Sequence, residues 1–219
     1  MRSPEELAAF VGAHTALVSP PGCPEIKLHL AVAMTSLWQA SESFLQGMTV
    51  APPYWSLAWA GSQGLARHVL ENRWQIRGRR VLDFMAASGI AGIAAAQVGA
   101  AAVEAYDADP LAQAAIALNA RSNGLTVGLL GQNPMDGEAL APWEVLLVGD
   151  IGYEPAIADH CLPWLRRCAA QGAMVLLSDP GGVYGSIKGM VHLSDYSIPA
   201  TSDPDDRSTR EVSIYRVGG

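Results

Sequence analysis

Short apolar runs alternate with helical stretches from residue 79 to residue 177, and this alternation limits the chain to very few folds. Each apolar run is too brief for a helix and is typical of a buried strand. Strands that alternate with helices form βαβ units, whose parallel sheet is covered on both faces. Residues 196–201 and 211–217 instead alternate apolar and polar side chains, which is typical of paired, half-exposed strands. The predicted buried strands are residues 81–84, 102–106, 125–131, 144–149 and 173–177, and the predicted helices between them are residues 88–98, 110–122 and 154–170.

The first 52 residues are predicted to form a helical arm, followed by one α/β domain over residues 53–219. Residues 3–6 (Ser-Pro-Glu-Glu) match a capping box with proline at the first helical position, which starts a helix. A second amphipathic stretch over residues 28–44 is also predicted to be helical. The arm could serve as a lid, but it carries no cluster of chemically active side chains, which favours a plain packing extension.

Composition excludes several classes of protein. Hydrophobic residues make up 50% of the 219 residues and charged residues only 16%, against about 25% in an average protein. This balance excludes intrinsic disorder, and the net charge of −7 argues against a nucleic acid as partner. The apolar stretch over residues 81–103 is interrupted by Asp83, Ser88 and Gln97, and its alanines and glycines contribute little to membrane insertion. No membrane association is therefore predicted.

The cysteines point to a reducing environment. Cys23, Cys161 and Cys168 are too few for a disulfide framework, and they show none of the usual zinc-ligand spacings. The start of the chain lacks the basic residues and apolar run of a signal peptide. We therefore expect reduced thiols, a cytoplasmic location and no metal site, and the sequence leaves the oligomeric state open.

Four arginines form the one basic cluster of the sequence, just ahead of the first predicted strand. They are Arg73, Arg77, Arg79 and Arg80. Such a cluster is typical of a solvated edge, and docking of an acidic partner is the less favoured alternative.

The turn after the first predicted strand indicates a nucleoside ligand. Residues 85–89 are small or flexible and open a helix, and Asp107 ends the next strand. In a doubly wound sheet the ligand lies beyond the carboxyl ends of such strands, where an acid can accept hydrogen bonds from ribose hydroxyls. A dinucleotide fingerprint would need three glycines, and only Gly89 is present. Asp83 would repel a pyrophosphate but suits an ammonium group, so nucleoside plus amino acid predicts S-adenosylmethionine.

Several segments in order give the chain a specific likeness to a known family. It resembles the electron-transfer-flavoprotein β-subunit lysine methyltransferases and their bacterial relatives, often described as predicted nicotinamide N-methylases. The resemblance implies a Rossmann-like α/β sheet of seven strands, six parallel and the last antiparallel, and S-adenosylmethionine as cofactor. The segments that carry it are residues 53–67, 81–89, 106–110, 118–119, 148–153 and 178–181.

The same resemblance implies a set of site residues. It places Trp59, with Gly61 and Gln63, against the cofactor, although Trp55 and Trp59 also have the spacing of a helical core pair. Catalysis is assigned to Asp150 and Tyr153, an Asp-x-x-Tyr motif facing the methyl group and the acceptor nitrogen, although Tyr153 could also complete a core edge. The remaining cofactor-binding residues implied are Asp83, Ser88 and Gly89 for the methionine half, Asp107 for the ribose, and Gln132 and Asn133 for the adenine.

The turn departs from the family pattern in one respect. The family turn has the form Gly-x-Gly-x-Gly, whereas this chain has Met85-Ala86-Ala87-Ser88-Gly89. A side chain at a positive-φ position strains the backbone by about 1–2 kcal/mol and crowds the cofactor's approach. The resemblance as a whole implies an N-methyltransferase acting on a protein lysine of the electron-transfer flavoprotein β subunit or of a ribosomal protein. The alternatives are a small-molecule amine methyltransferase and a cofactor-binding protein without turnover.

Overall fold

The computed structural model describes residues 2–45, 51–137, 143–151, 155–199 and 208–219. Within these ranges the framework is a seven-strand sheet with helices on both faces, preceded by a helix and a two-strand sheet. In chain order the elements are α1 (Pro4–His14), β1 (Thr15–Val18), β2 (Leu28–Ala31), α2 (Met34–Phe44), α3 (Ala60–Glu71), β3 (Arg80–Phe84), α4 (Ile90–Gln97), β4 (Ala102–Tyr106), α5 (Pro110–Ser122), β5 (Gly128–Leu129), β6 (Val145–Val148), α6 (Pro155–Ala170), β7 (Met174–Asp179), β8 (Met190–Pro199) and β9 (Thr209–Val217).

The large sheet has the strand order β5-β4-β3-β6-β7-β9-β8. Strands β3 to β7 pair in parallel, whereas β9 lies antiparallel between β7 and β8. Strand β8 therefore points the same way as the parallel strands, and in the described part of the sheet the last strand alone is reversed. This topology confirms the predicted α/β fold with its seven-strand, Rossmann-like sheet.

The central strands are buried on both faces, which explains their unbroken apolar sequences. Val81 and Leu82 are neighbours on β3, yet each is fully buried and each belongs to a different core cluster. Helices α3, α4 and α5 contribute to the first cluster, and α6 contributes to the second. The register places Phe84 level with Tyr106 of β4 and Val148 of β6, so the three strands end together.

The predicted helix over residues 28–44 is wrong in its first part. Residues 28–31 form β2, which pairs antiparallel with β1, and the helix begins only at Met34. The physical reason is a short period-2 alternation, in which Leu28 and Leu30 flank His29, and which pairing with β1 stabilises as a strand. The predicted capping box of α1 is confirmed, because Ser3 and Glu6 exchange both expected hydrogen bonds.

Strand β8 is one edge of the large sheet and is longer than predicted. It begins at Met190, whereas the predicted strand starts at residue 196. Its first residues are exposed or half-buried, so they lack the buried alternation that marks a strand in sequence. A β-bulge shifts the pairing with β9 between His192 and Ser194. At the opposite edge, β5 is only two residues long, shorter than the predicted strand over residues 125–131.

The arm packs into the domain and is continuous with its core. Phe10 and Val11 of α1 and Leu37 of α2 lie in one cluster with Trp55 and Leu111. Other arm residues reach α3, because the Arg67 guanidinium donates to both carboxylate oxygens of Glu25 at 2.9 and 2.6 Å. This is the arrangement of a packing extension, while the domain boundary after residue 52 stays a prediction. No helix in the described ranges has the length and apolar content needed to cross a membrane.

Two asparagines attach the arm to the domain, and they differ in burial: Asn119 lies within α5 and Asn123 is the C-cap of that helix. Asn119 is fully buried; its Oδ1 accepts from His29 N at 2.7 Å and its Nδ2 donates to the Ser88 carbonyl at 2.9 Å. Asn123 bonds both backbone groups of Lys27, at 2.9 and 2.7 Å, in an exposed position. Both residues attach the arm, so a comparison of Asn119 with Asn123 shows how much burial alone adds to the stability of the fold.

We expect Asn119→Ala to lower the free energy of unfolding by about 2–4 kcal/mol, because two buried backbone groups lose their partners. Asn123→Ala, the matched control, should cost less than about 1 kcal/mol, because water replaces the lost bonds. Urea unfolding followed by circular dichroism measures both. Equal losses in the two variants would contradict the assigned difference.

Candidate functional site

Three strand ends meet at the carboxyl edge of the sheet. Because β3, β4 and β6 end level, the turn after β3 lies between Asp107, which follows β4, and Asp150, which follows β6. Neighbouring strands are about 4.8 Å apart, so the two carboxylates flank the turn on either side. This edge is where an open α/β sheet binds its ligand.

The turn after β3 keeps a backbone that glycine favours, although it carries side chains. Met85 has φ of 54° and Ala87 has φ of 48°, both in the left-handed region, and Gly89 follows at 76°. Each non-glycine residue in the left-handed region destabilises the folded state by about 1–2 kcal/mol. Backbone bonds hold the turn, from Ala86 N to the Tyr106 carbonyl at 3.0 Å and from Gly89 N to the Ala86 carbonyl at 2.7 Å. The predicted strain is therefore present.

Asp107 is fastened to this turn and keeps capacity for a ligand. Its Oδ2 accepts from Ala87 N at 2.9 Å and its Oδ1 accepts from Asp109 N at 3.0 Å. Burial raises the pKa of Asp107, while the backbone donors oppose that rise. Each carboxylate oxygen can accept two hydrogen bonds, so both still have room for a hydroxyl donor.

Asp83 lies beneath the turn and faces the start of α4. It is 2% exposed, and its Oδ2 accepts from Gly92 N at 2.7 Å. A Cβ on Gly92 would stand 2.9 Å from that oxygen, so the contact depends on glycine. Burial, with a smaller contribution from Asp107, raises the pKa of Asp83 to about 7. A nearby cation would favour its ionised form. Ser88, next to Gly89, is also buried.

A cleft of about 370 Å³ opens beside the turn. Its walls are largely apolar, with Asp107 and Asn133 among the few polar groups, a combination typical of small-ligand sites. Asn133 also caps a short helical turn, its Oδ1 accepting from Met135 N at 3.0 Å. The lining residues are Phe84, Met85, Tyr106, Asp107, Ala108, Asn133, Met135, Ala156, Ile157, His160 and Cys161.

Asp150 caps the amino terminus of α3. Its Oδ1 accepts from Gly61 N at 3.1 Å, and its Oδ2 accepts from the Ser62 N and Oγ at 2.8 and 3.0 Å. Burial raises its pKa despite these donors. A Cβ on Gly61 would stand 2.7 Å from Asp150 Cγ. It would stand at the same distance from Ser178 Oγ, a buried hydroxyl without a hydrogen-bond partner in the described part of the chain. Gly61 is thus required for Asp150 to approach the helix.

Trp59 and Gln63 lie at the same end of α3. The Trp59 indole N–H donates to the Tyr54 carbonyl at 2.8 Å, and the two rings meet edge to face with centroids 5.8 Å apart. Gln63 is buried, donating to the Ala58 carbonyl at 2.6 Å and accepting from Gly22 N at 2.9 Å. The helical pairing of Trp55 with Trp59 is wrong, because Trp55 lies in a separate short turn, but its predicted burial is confirmed.

The structure thus separates the predicted site residues into three places. Asp107 and Asn133 line the cleft, whereas Gln132 is exposed and is not among its lining residues. Asp83, Ser88 and Gly89 belong to the turn and the start of α4, and Trp59, Gly61, Gln63 and Asp150 belong to the start of α3. Tyr153 lies outside the described residues. The functional roles of all these residues stay predictions.

Sequence reasoning missed the contribution of α6 to the cleft. Ile157, His160 and Cys161 line it, and Cys161 Sγ lies 4.0 Å from Met85 Sδ. The amphipathic pattern of α6 follows the Asp150 segment directly, and this was the available signal. The three cysteines are free and buried, and no metal-binding group of His, Cys, Asp or Glu is found among the described residues.

The residues at this edge fit S-adenosylmethionine. Asp107 retains acceptor capacity at the cleft, as ribose hydroxyls require, and Asp83 supplies negative charge close to the turn. The left-handed turn has the backbone of a glycine-rich loop, and Gly61 and Gly92 permit close packing that a Cβ would block. The side chains of Met85 and Ala87 are the only departure seen in the described part of the site.

The chain is similar to known protein methyltransferases over most of its length. It is 32% identical over 213 residues to an electron transfer flavoprotein beta subunit lysine methyltransferase from Xenopus laevis, covering 94% of this chain and 85% of the relative. The corresponding Homo sapiens protein is 34% identical over 179 residues, covering 80% and 67%. A ribosomal protein L11 methyltransferase from Dichelobacter nodosus is 39% identical over 114 residues, which cover 52% of this chain and 37% of the relative.

Family and structure comparisons agree with this result. The family model of ribosomal protein L11 methyltransferase (PrmA) matches residues 65–145. Among solved structures, a proposed RNA methyltransferase from Pyrococcus horikoshii superposes with a TM-score of 0.55 at 17% identity, covering 84% of this chain and 96% of that chain. A proposed methyltransferase complexed with SAH gives a TM-score of 0.51 at 12% identity, covering 73% and 49%. At these identities the structures establish the fold alone.

The strained turn predicts that substitution by glycine changes the free energy of unfolding in opposite directions at residues 87 and 86. Ala87→Gly relieves about 1–2 kcal/mol of strain and loses about 0.4–1 kcal/mol through the freer unfolded chain. We therefore expect its free energy of unfolding to rise by up to about 1.5 kcal/mol. Ala86→Gly, outside the left-handed region, should lower it by at least about 0.4 kcal/mol. A fall for both variants in urea unfolding would contradict the strain.

The same prediction extends to the ligand. Because Met85→Gly with Ala87→Gly removes two side chains from the cofactor's approach, the affinity measured by calorimetry should stay equal or increase. A clear loss of affinity would show that these side chains serve binding.

Proposed function

Since the chain belongs to the family of electron transfer flavoprotein beta subunit lysine methyltransferases, we propose that it methylates the ε-amino group of a protein lysine. S-adenosylmethionine is the methyl donor. The observation that carries the proposal is sequence identity above 30% over almost the whole chain. Two groups of relatives, named for the flavoprotein subunit and for ribosomal protein L11, both act on proteins, which favours a protein acceptor over a small amine.

The residues around the turn would bind the donor. Bound S-adenosylmethionine supplies an electrophilic methyl group on a sulfonium, which an amine nitrogen can take in one in-line displacement. Asp107 would accept hydrogen bonds from the ribose hydroxyls, and Asn133 would border the adenine. Asp83, Ser88 and Gly89 would frame the methionine half, with the Asp83 carboxylate favoured by the ligand's positive charge.

Asp150 would prepare the acceptor. A lysine has a pKa of about 10.4, so only about one in 10³ is neutral at pH 7 and able to attack. The Oδ1 atom of Asp150 accepts a hydrogen bond from Gly61 N, and it can accept a second from an incoming ammonium group. Its raised pKa makes this carboxylate a better proton acceptor than an exposed aspartate. Tyr153 would pack against the stem of the acceptor.

Positioning supplies most of the acceleration in such a transfer, because little covalent chemistry is asked of the protein. The hydrogen bonds that tie Asp150 to α3 hold the carboxylate in one place relative to the turn. We also propose a reducing compartment such as the cytoplasm, which the free state of all three cysteines supports.

The acceptor class is tested by labelled methyl transfer. The protein and tritiated S-adenosylmethionine are incubated in parallel with a dialysed extract of cellular proteins and with the metabolites removed from it. We expect label in protein that yields methyllysine on acid hydrolysis. Label confined to the metabolite fraction would instead indicate a small amine as acceptor, and no label with normal cofactor binding would indicate a protein without turnover.

Asp150→Asn should lower single-turnover methyl transfer by about 10²–10⁴, because a positioned base is lost. Its affinity for S-adenosylmethionine should change only modestly. The control is Ser62→Ala, which removes one donor to Asp150 but keeps the carboxylate, so its turnover should fall far less. Calorimetry and single-turnover kinetics are run on the same preparations. Similar losses of turnover in both variants would reduce Asp150 to a structural cap of α3.

A further inference from the structure

A basic patch with an exposed tryptophan lies ahead of β3. It consists of Arg73, Trp74, Arg77, Arg79 and Arg80, and it holds four of the chain's fourteen lysine and arginine residues. Trp74 is 72% exposed, an unusual state for the largest apolar side chain. Arg79 is half-buried and the other three arginines are exposed. In a chain of net charge −7, this concentration of positive charge stands apart from its surroundings.

The patch has a rigid backbone. Arg77 N donates to the Arg73 carbonyl at 2.8 Å, closing a helical turn. Gly78 N donates to the Gly99 carbonyl and Ala101 N donates to the Arg79 carbonyl, both at 2.8 Å. The last two bonds tie the carboxyl-terminal part of the patch to the segment between α4 and β4. A partner that binds here would order little more than the arginine side chains, which limits the entropic cost of association.

The positive charge of the patch is largely uncompensated within the described chain. The one ion pair found there for these arginines joins Arg80 Nε to Glu144 Oε2 at 3.9 Å, a long contact between exposed groups. Glu71 also lies close in sequence, but its carboxylate accepts a hydrogen bond from Tyr196 at 3.1 Å. Arg73 and Arg77 are exposed, and within the described ranges their guanidinium groups have no hydrogen-bond or ion-pair partner.

The position of the patch separates it from the methyl-transfer site. It precedes the amino end of β3, whereas the turn and Asp107 follow the carboxyl end. Five residues of strand at about 3.3 Å each put roughly 15 Å of sheet between the two. A ligand of the patch would leave the cleft open.

We propose that this basic patch docks an acidic segment of a protein partner. Arginine guanidinium groups bind carboxylates in paired hydrogen bonds, and tryptophan and arginine are the residues that most often dominate the energy of protein interfaces. Trp74 would cover apolar side chains next to the acidic residues. A nucleic acid is disfavoured, because four arginines offer few phosphate contacts and the remaining charge of the chain repels a polyanion of high charge density. The inference is independent of the proposed acceptor.

The test is binding of a fluorescein-labelled peptide of fifteen glutamates, followed by fluorescence anisotropy at low salt. The patch variant is Arg73→Glu with Arg77→Glu. The control is Arg121→Glu with Arg167→Glu, exposed arginines on α5 and α6, which changes the net charge by the same amount. A fifteen-nucleotide polyuridylate probe is measured in parallel. Unfolding midpoints and S-adenosylmethionine affinity verify that both variants are folded.

We expect the patch variant to bind the glutamate peptide at least twentyfold more weakly than the unchanged chain, and the control to stay within about threefold. Trp74→Ala should weaken binding of a peptide that alternates glutamate and leucine more than binding of polyglutamate. Equal losses in patch variant and control would overturn the proposal, since net charge alone would explain them. Absence of peptide binding by the unchanged chain would also overturn it, as would tighter, patch-dependent binding of polyuridylate.

Discussion

The carboxylate of Asp150 holds one end of α3, and much of the molecule depends on the position of that helix. The carboxylate accepts from Gly61 N and Ser62 N, two amino-terminal N–H groups that have no partner within the helix, and also from the Ser62 hydroxyl. Helix α3 in turn packs on α4 and on the antiparallel half of the sheet, and through Gln63 and Arg67 it receives the arm. One half-buried carboxylate therefore links the end of β6 to two layers of structure, and the same carboxylate is the proposed proton acceptor.

The turn after β3 shows how a costly backbone is maintained. Two residues with side chains occupy left-handed conformations, which persist only where the surroundings determine them from several sides. Here the backbone N–H groups of Ala86 and Gly89 are hydrogen-bonded, and Asp107 accepts a hydrogen bond from Ala87 N. Asn119 donates a further hydrogen bond to the Ser88 carbonyl. The fold keeps the backbone shape of a glycine loop without most of its glycines, so this shape is maintained by the neighbours of the loop.

The sequence predicted the elements that are buried on both faces, because such strands are short, apolar and bounded by turn residues. It also predicted Asp107 and Asp150 at the strand ends, since carboxyl ends of parallel strands meet at one edge. It failed where the signal is short or exposed, as in the β1–β2 hairpin and the first half of β8. Asp150 is hydrogen-bonded to α3, and Gln63 is hydrogen-bonded to the arm. These contacts join residues 40 to 90 positions apart in the sequence, and local sequence patterns do not encode them. The cleft wall on α6 was missed for the same reason.

The bulge in β8 has a consequence for how the molecule behaves in a crowded solution. An edge strand offers unpaired backbone groups to any neighbouring chain, and ten residues of regular edge would be a template for sheet-to-sheet growth. The register shift between His192 and Ser194 breaks that regularity. The adjacent hydrogen-bond contact between His192 Nε2 and Asp195 Oδ1, 2.8 Å long, places polar side chains beside the exposed Val191 and Leu193. At the opposite edge, β5 is too short to recruit a partner strand. The sheet is therefore bounded on both sides by features that oppose aggregation.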